Sequence, residues 1–160
     1  NSRGQYILTL DELEAGSLDT AEPVIEVEGD LILQLKKDTI SHLESQGPVI
    51  KKGTGTLTIR GEGSLELESA DAEAISSDWN GEELDADHPS AVRLEAGNLT
   101  FTGAGSGIVD ETVELAGAQG TITATSTSGA AVKTAHVKRE GSNSDKLELI
   151  GATAVAVPES

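Results

Sequence analysis

The chain has 160 residues, a length typical of one domain, and it contains neither cysteine nor methionine. The absence of cysteine excludes a disulfide framework, a thiolate metal site and a cysteine nucleophile. Its 28 acidic residues outnumber 11 basic ones, giving a net charge of −17, so we expect neither nucleic acid nor an anionic membrane to be a partner.

A short sequence pattern recurs along the chain and indicates a repeat architecture. It combines a small residue or proline, one or two branched apolar residues, a glycine-containing gap and an alternating apolar strand. The branched anchors are at positions 25, 50, 75, 92, 108, 132 and 155. Four of the six intervals are 25, 25, 24 and 23 residues, roughly one coil of a parallel β-helix. The other two, 17 and 16 residues, leave open whether one of their anchors belongs to a second strand of the same coil.

Between the anchors the sequence alternates strictly between apolar and polar residues, which predicts strands with one face in a core. The clearest segments are residues 56–60, 64–68, 99–102, 121–125 and 145–149. No sustained helical stripe is present. The sequence therefore predicts an all-β solenoid, a single-stranded parallel β-helix of roughly six to seven coils. Residues 1–160 form one domain or part of a longer surface protein, and residues 1–22 form a first coil or cap.

Two neighbouring segments resemble a known group of proteins. They are EPVIEVEGDLILQLKKDTI, residues 22–40, and GPVIKKGTGTLTIRGEGSLELES, residues 47–69. This pattern is similar to the β-helical carbohydrate-binding domains of secreted bacterial proteins, within the pectate-lyase-like superfamily. The resemblance implies a right-handed parallel β-helix and an extracellular or cell-surface location. It also implies binding of a plant or microbial cell-wall polysaccharide, and calcium dependence.

The longest interruption of the repeat, residues 76–90, contains the only tryptophan and five carboxylates. Insertions that project from repeat proteins often carry function. An indole ring can stack on a sugar, and carboxylates or an amide can hydrogen-bond its hydroxyls. The predicted ligand-binding residues are Trp79, Asn80, Asp78, Glu82 and Glu83. The alternative is structural: the ring of Trp79 covers an apolar gap and the acidic residues solvate the loop.

The same insertion is a candidate calcium site, because hard cations prefer carboxylate oxygens. It does not match an EF-hand, since Glu83 occupies the glycine position and Pro89 the twelfth position. An irregular site formed by Asp78, Asp85 and Asp87 is the remaining hypothesis. The competing interpretation is that the acidity of the chain serves solubility.

Little in the sequence indicates catalysis. Lys51, Lys52, Arg60 and Arg93 are the cations on repeat strands, and we interpret them as outward partners of Glu26 and Glu62. The three histidines, at positions 42, 88 and 136, show no metal-binding spacing. Close pairs of carboxylates are expected by chance among so many acidic residues.

Three hypotheses for function follow, in order of preference. The first is a non-catalytic extracellular polysaccharide-binding module. The second is a structural spacer or adhesin segment of a bacterial surface protein with no ligand of its own. The third is a polysaccharide lyase or hydrolase.

Overall fold

A computed structural model describes residues 6–79, 81, 89–95, 98–115, 121–139, 146–150 and 153–156. These residues form eighteen β-strands. No segment of the described chain is an apolar helix of membrane-spanning length.

The strands form three parallel sheets of six strands each. Sheet A contains β1 (Tyr6–Leu10), β4 (Leu31–Leu35), β7 (Gly55–Gly61), β10 (Ser90–Leu94), β13 (Thr112–Leu115) and β16 (His136–Arg139). Sheet B contains β2 (Glu14–Ser17), β5 (Ile40–Ser45), β8 (Ser64–Ser69), β11 (Asn98–Gly103), β14 (Thr121–Ser126) and β17 (Lys146–Ile150). Sheet C contains β3 (Ile25–Val27), β6 (Ile50–Lys52), β9 (Ile75–Ser77), β12 (Ile108–Val109), β15 (Ala130–Lys133) and β18 (Thr153–Ala156).

Neighbours within each sheet are three elements apart in the chain, so the chain visits sheets A, B and C in turn and then repeats the cycle. This order is that of a parallel β-solenoid and confirms the predicted fold class. From the first to the last strand of a six-stranded sheet the chain makes about five turns, slightly fewer than the six to seven coils expected. Strands β1 and β2, within the stretch predicted as a first coil or cap, are the outermost strands of sheets A and B.

The predicted anchors lie directly over one another in sheet C. Ile25 pairs with Ile50, Ile50 with Ile75, and Ile75 with Ile108, and the column continues through Val132 to Val155. The anchor at position 92 belongs instead to β10 in sheet A. The open alternative is thus confirmed: the 17- and 16-residue intervals divide a single coil, which is lengthened by the insertion between β9 and β10.

Alternate side chains of the three sheets point inward and form a narrow aliphatic core. Leu33, Leu43, Ile59, Leu65 and Phe101 are completely or almost completely buried. Each such side chain contributes roughly 1.5–3 kcal/mol before the entropy of ordering the chain is subtracted. The core therefore extends along the axis as stacked layers, and aliphatic residues fill most of it.

Serine hydroxyls hydrogen-bond to backbone carbonyls at the corner between sheets B and C. The hydroxyl of Ser45 donates to the carbonyl of Glu22 at 2.9 Å, and that of Ser69 donates to Gly47 at 2.7 Å. Ser126 repeats the contact on Gly105 at 2.8 Å. A buried carbonyl without a partner is costly, so these hydroxyls stabilise the turn of the preceding coil.

Candidate functional site

The outward side of sheet B presents polar side chains in two straight columns. Between them the intervening residues, such as Leu43 and Leu67, point into the core. The first column is Glu14, His42, Glu66, Thr100 and Thr123, and Glu148 of β17 follows Thr123 in the strand register. The second column is Gly16, Glu44, Glu68, Thr102 and Thr125, and Ile150 of β17 follows Thr125. We call this surface the sheet B face. Neighbouring members of a column are about 4.8 Å apart, the spacing of adjacent strands.

His42 lies at the centre of the acidic end of this face. Its Nδ1 atom is 3.3 Å from Oε2 of Glu66, and its Nε2 atom is 3.2 Å from Oε2 of Glu44. Partial burial acts to lower the pKa of His42. The hydrogen bonds and negative charges of Glu44 and Glu66 outweigh that effect and raise the pKa above its ordinary value. The glutamates therefore favour the imidazolium form.

A shallow groove borders the same histidine on the side of the first coil. Its walls are formed by Glu14, Ala15, Gly16, His42 and Glu44. Gly16 has a φ of 90°, which only glycine adopts without strain. A Cβ built on Gly16 would lie 1.8 Å from the carbonyl oxygen of Glu44 and 2.6 Å from Val24. Because Gly16 has no side chain, strands β2 and β5 can approach each other closely next to His42.

The next two strands of the sheet B face, β11 and β14, carry hydroxyls instead of carboxylates in these columns. Thr100 pairs in register with Thr123, and Thr102 pairs with Thr125. All four side chains are partly exposed. The face thus changes from acidic residues on β2, β5 and β8 to threonines on β11 and β14 without a break in strand pairing, and Glu148 follows in register on β17.

A buried polar cluster lies in the interior near the base of the insertion. Nζ of Lys52 is 2.7 Å from Oδ2 of Asp110, and both side chains have an exposed fraction of 0%. Nζ also contacts Oγ of Ser90 at 2.6 Å and the carbonyl of Gly53 at 3.1 Å. Ser90 donates to Oδ1 of Asp110, which also accepts from the backbone N–H of Glu111 at 2.8 Å. Since the charges are paired and hydrogen-bonded, the cluster is compatible with burial.

The prediction that Lys52 points outward was therefore wrong. Period two places Ile50 and Lys52 on the same inward side and Lys51 on the outward side. Arg60 and Glu62 also have partners that differ from those expected. Arg60 donates to Gln34, and Glu62 pairs with Lys37 at 3.8 Å.

Two further expectations concern sheets A and C. Arg93 contacts Glu95 and Glu114, each at 2.9 Å, instead of the predicted partners. Lys51 does lie beside Glu26 in strand register, as expected.

The structure describes the predicted binding loop only in part. Asp78 is exposed, whereas Trp79 is 4% exposed. In the described part of the chain its Nε1 atom has no hydrogen-bond partner. An indole so deeply buried presents almost no face for stacking on a sugar. Asn80, Glu82, Glu83, Asp85 and Asp87 lie outside the described residues, so the binding and calcium sites predicted there stay predictions.

No family model, curated protein or solved structure matches this chain.

The cluster around His42 was not predicted from the sequence. The spacing of the histidines gives no signal for it, because the partners of His42 are glutamates two residues and one coil away. A detectable signal was present: His42-Leu43-Glu44 and Glu66-Leu67-Glu68 repeat the same pattern 24 residues apart, close to the interval between anchors. Stacking equivalent positions of successive coils would have brought these residues together.

Proposed function

We propose that this chain is a non-catalytic module that binds an extracellular polysaccharide on the sheet B face. The observation that carries the proposal is the pair of straight outward columns of hydroxyl and carboxylate side chains on one parallel sheet. Hydroxyls and carboxylates are the groups that hydrogen-bond sugar hydroxyls.

The aliphatic core supports an external binding surface. Apolar side chains, together with the buried cluster of Lys52, Asp110 and Ser90, fill the interior of the described coils. A ligand of polymer size must therefore lie along the outside of the solenoid. A grid of side chains with a constant spacing suits a polymer with a constant repeat.

The charge of the module favours a neutral polysaccharide over an acidic one. The chain carries a net charge of −17, and Glu14, Glu44, Glu66 and Glu68 lie on the sheet B face itself. A polyanion such as polygalacturonate would experience like-charge repulsion along the acidic strands β2, β5 and β8. The threonine strands β11 and β14 provide hydroxyls and carry no carboxylate in the two columns, so we expect the main contacts there.

A glycan array followed by affinity electrophoresis tests the proposal. We expect at least one neutral polysaccharide to retard the chain, and the double variant Thr100→Val/Thr123→Val to lose most of that retardation. The matched control is Thr9→Val/Thr58→Val, which removes two hydroxyls from sheet A and should bind as the unmodified chain does. Equal retardation of the two double variants would refute the assignment of the ligand to the sheet B face.

A second candidate function is a structural spacer without a ligand. The unbroken parallel pairing of all three sheets and the burial of Trp79 favour it, because both features stabilise a rod and neither requires a ligand. The array distinguishes the two functions: a spacer binds no glycan. Incubation with polygalacturonate and related polymers, followed by assays for unsaturated or reducing ends, distinguishes both from a lyase or hydrolase.

A further inference from the structure

The acidic end of the sheet B face places one imidazole among several carboxylates on adjacent coils. A nitrogen of His42 and one carboxylate oxygen each from Glu44 and Glu68 all lie within 4.8 Å of one another. His42 and Glu44 belong to β5, and Glu68 belongs to β8, the next strand in the sheet. Three possible ligand atoms thus converge from two coils that are 24 residues apart in sequence.

The charges at this point are unbalanced. Glu44 and Glu68 are directly opposite in the strand register, and like charges in that position destabilise a sheet. His42 lies in the first column, directly between Glu14 and Glu66. In the described part of the chain, the ion pairs of these glutamates involve His42 alone. One imidazolium balances at most one of four carboxylates, so the arrangement favours an additional cation.

Both ring nitrogens of His42 lie at hydrogen-bonding distance of a carboxylate oxygen, which can only accept, so a metal ion binds the ring by replacing one of the two protons. If Nδ1 keeps its proton and donates it to Glu66, the ion takes the place of the proton on Nε2, which faces Glu44. A carboxylate that holds the distal nitrogen of a metal-binding histidine is a recurrent arrangement in protein metal sites. Glu66 would then orient the ring, while Nε2 and the oxygens of Glu44 and Glu68 contact the ion.

We propose that His42, Glu44 and Glu68 form a site for a divalent transition-metal ion of the zinc type, with Glu66 as the residue that positions His42. Imidazole nitrogen with carboxylate oxygen is a donor set that suits zinc, whereas calcium prefers a shell of oxygens alone. Zinc–ligand distances of about 2.0–2.2 Å place tetrahedral ligand atoms about 3.4 Å apart. Small side-chain rotations would bring the three groups to that separation, and the groove beside Gly16 leaves the ion accessible to water.

Calorimetric titration of the tag-free 160-residue chain with zinc chloride, after treatment with a chelator, tests the site. We expect one zinc ion per chain and an affinity for calcium at least about tenfold lower. His42→Ala and Glu68→Gln should each weaken zinc binding by about tenfold or more. The matched controls are His136→Ala on β16 and Glu26→Gln on β3, which should leave zinc binding unchanged. Absence of a saturable event, equal calcium affinity, or full zinc affinity in His42→Ala would overturn the proposal.

A measurement on the unmodified chain removes any dependence on the folding of the variants. Paramagnetic cobalt(II) substitutes for zinc at sites of this type and broadens nearby amide resonances. At substoichiometric cobalt we expect the amides of β5 and β8 next to His42 and Glu68 to broaden first. If broadening begins instead in residues 78–90, the ion binds the insertion and the site on sheet B is refuted.

Discussion

The buried pair of Lys52 and Asp110 allows a prediction with a large expected effect. Replacing Lys52 with methionine keeps most of the side-chain volume and removes the cation. The carboxylate of Asp110 would then be left in the core with the Ser90 hydroxyl and the Glu111 N–H as its remaining donors. Removing one partner of a buried ion pair costs about 3–5 kcal/mol. Since a domain is stable by only about 5–15 kcal/mol, Lys52→Met should remove a large part of the free energy of unfolding.

The double variant Lys52→Met/Asp110→Asn separates burial of an unpaired charge from loss of packing. Asparagine retains the carbonyl oxygen that accepts from Ser90 and Glu111, and neither residue of the double variant carries a charge. We therefore expect the double variant to be more stable than either single variant. The control is Lys51→Met, because Lys51 is exposed and its replacement should change stability by no more than about 0.5 kcal/mol.

Urea denaturation followed by circular dichroism and by the fluorescence of Trp79 measures these differences. Coincident transitions by the two probes would establish that a single free energy of unfolding describes the chain. The reasoning would be refuted if Lys52→Met were destabilised by less than about 1 kcal/mol, or if the costs of the two single variants simply added in the double variant.

Three further predictions concern the core, a corner and the histidine. Phe101→Ala removes a fully buried ring and should cost about 3–5 kcal/mol in urea denaturation; an unchanged midpoint would contradict the assigned core. Ser69→Ala removes hydroxyl contacts to Gly47 and to the N–H of Ala72, at a cost of about 1–3 kcal/mol in the same assay. For His42, an NMR titration should give a pKa above its ordinary value that falls in Glu66→Gln, since one stabilising carboxylate is lost. Because the folded pKa is raised, the stability from protonated His42 is complete below the unfolded pKa of about 6.5 and is lost as pH rises through the folded value. This contribution to the free energy of unfolding should be below about 1 kcal/mol, because His42 is partly exposed.

The repeat could be predicted from the sequence because stacked coils impose a constant interval on inward branched residues. That interval and the strict alternation around each position identify the stacked anchors Ile25, Ile50 and Ile75. Val92 departed from the interval for a physical reason: an insertion lengthens one coil, and the same apolar phrase occurs in sheets A and C.

The buried cluster could not be predicted by residue type alone. Lysine is almost never fully buried without a partner, and the partner of Lys52 is 58 residues away. Lys52 was interpreted as outward because it is charged, although it is two residues from Ile50 and therefore on the same inward side of the strand. The partners of His42 were missed for a related reason, because Glu66 becomes a neighbour only once the coils are stacked in register.

Engineered cysteine pairs test the stacking of sheet B most directly, since the chain has no cysteine of its own. Thr100→Cys/Thr123→Cys places two thiols on residues that are in register on adjacent strands, within reach of a disulfide. Thr100→Cys/Thr125→Cys offsets the same pair by two residues, to about 7–8 Å, beyond that reach. Under mild oxidation we expect the first pair to cross-link within the chain and the second to keep free thiols. Cross-linking of the offset pair in place of the in-register pair would contradict the stacked columns on which the sheet B face depends.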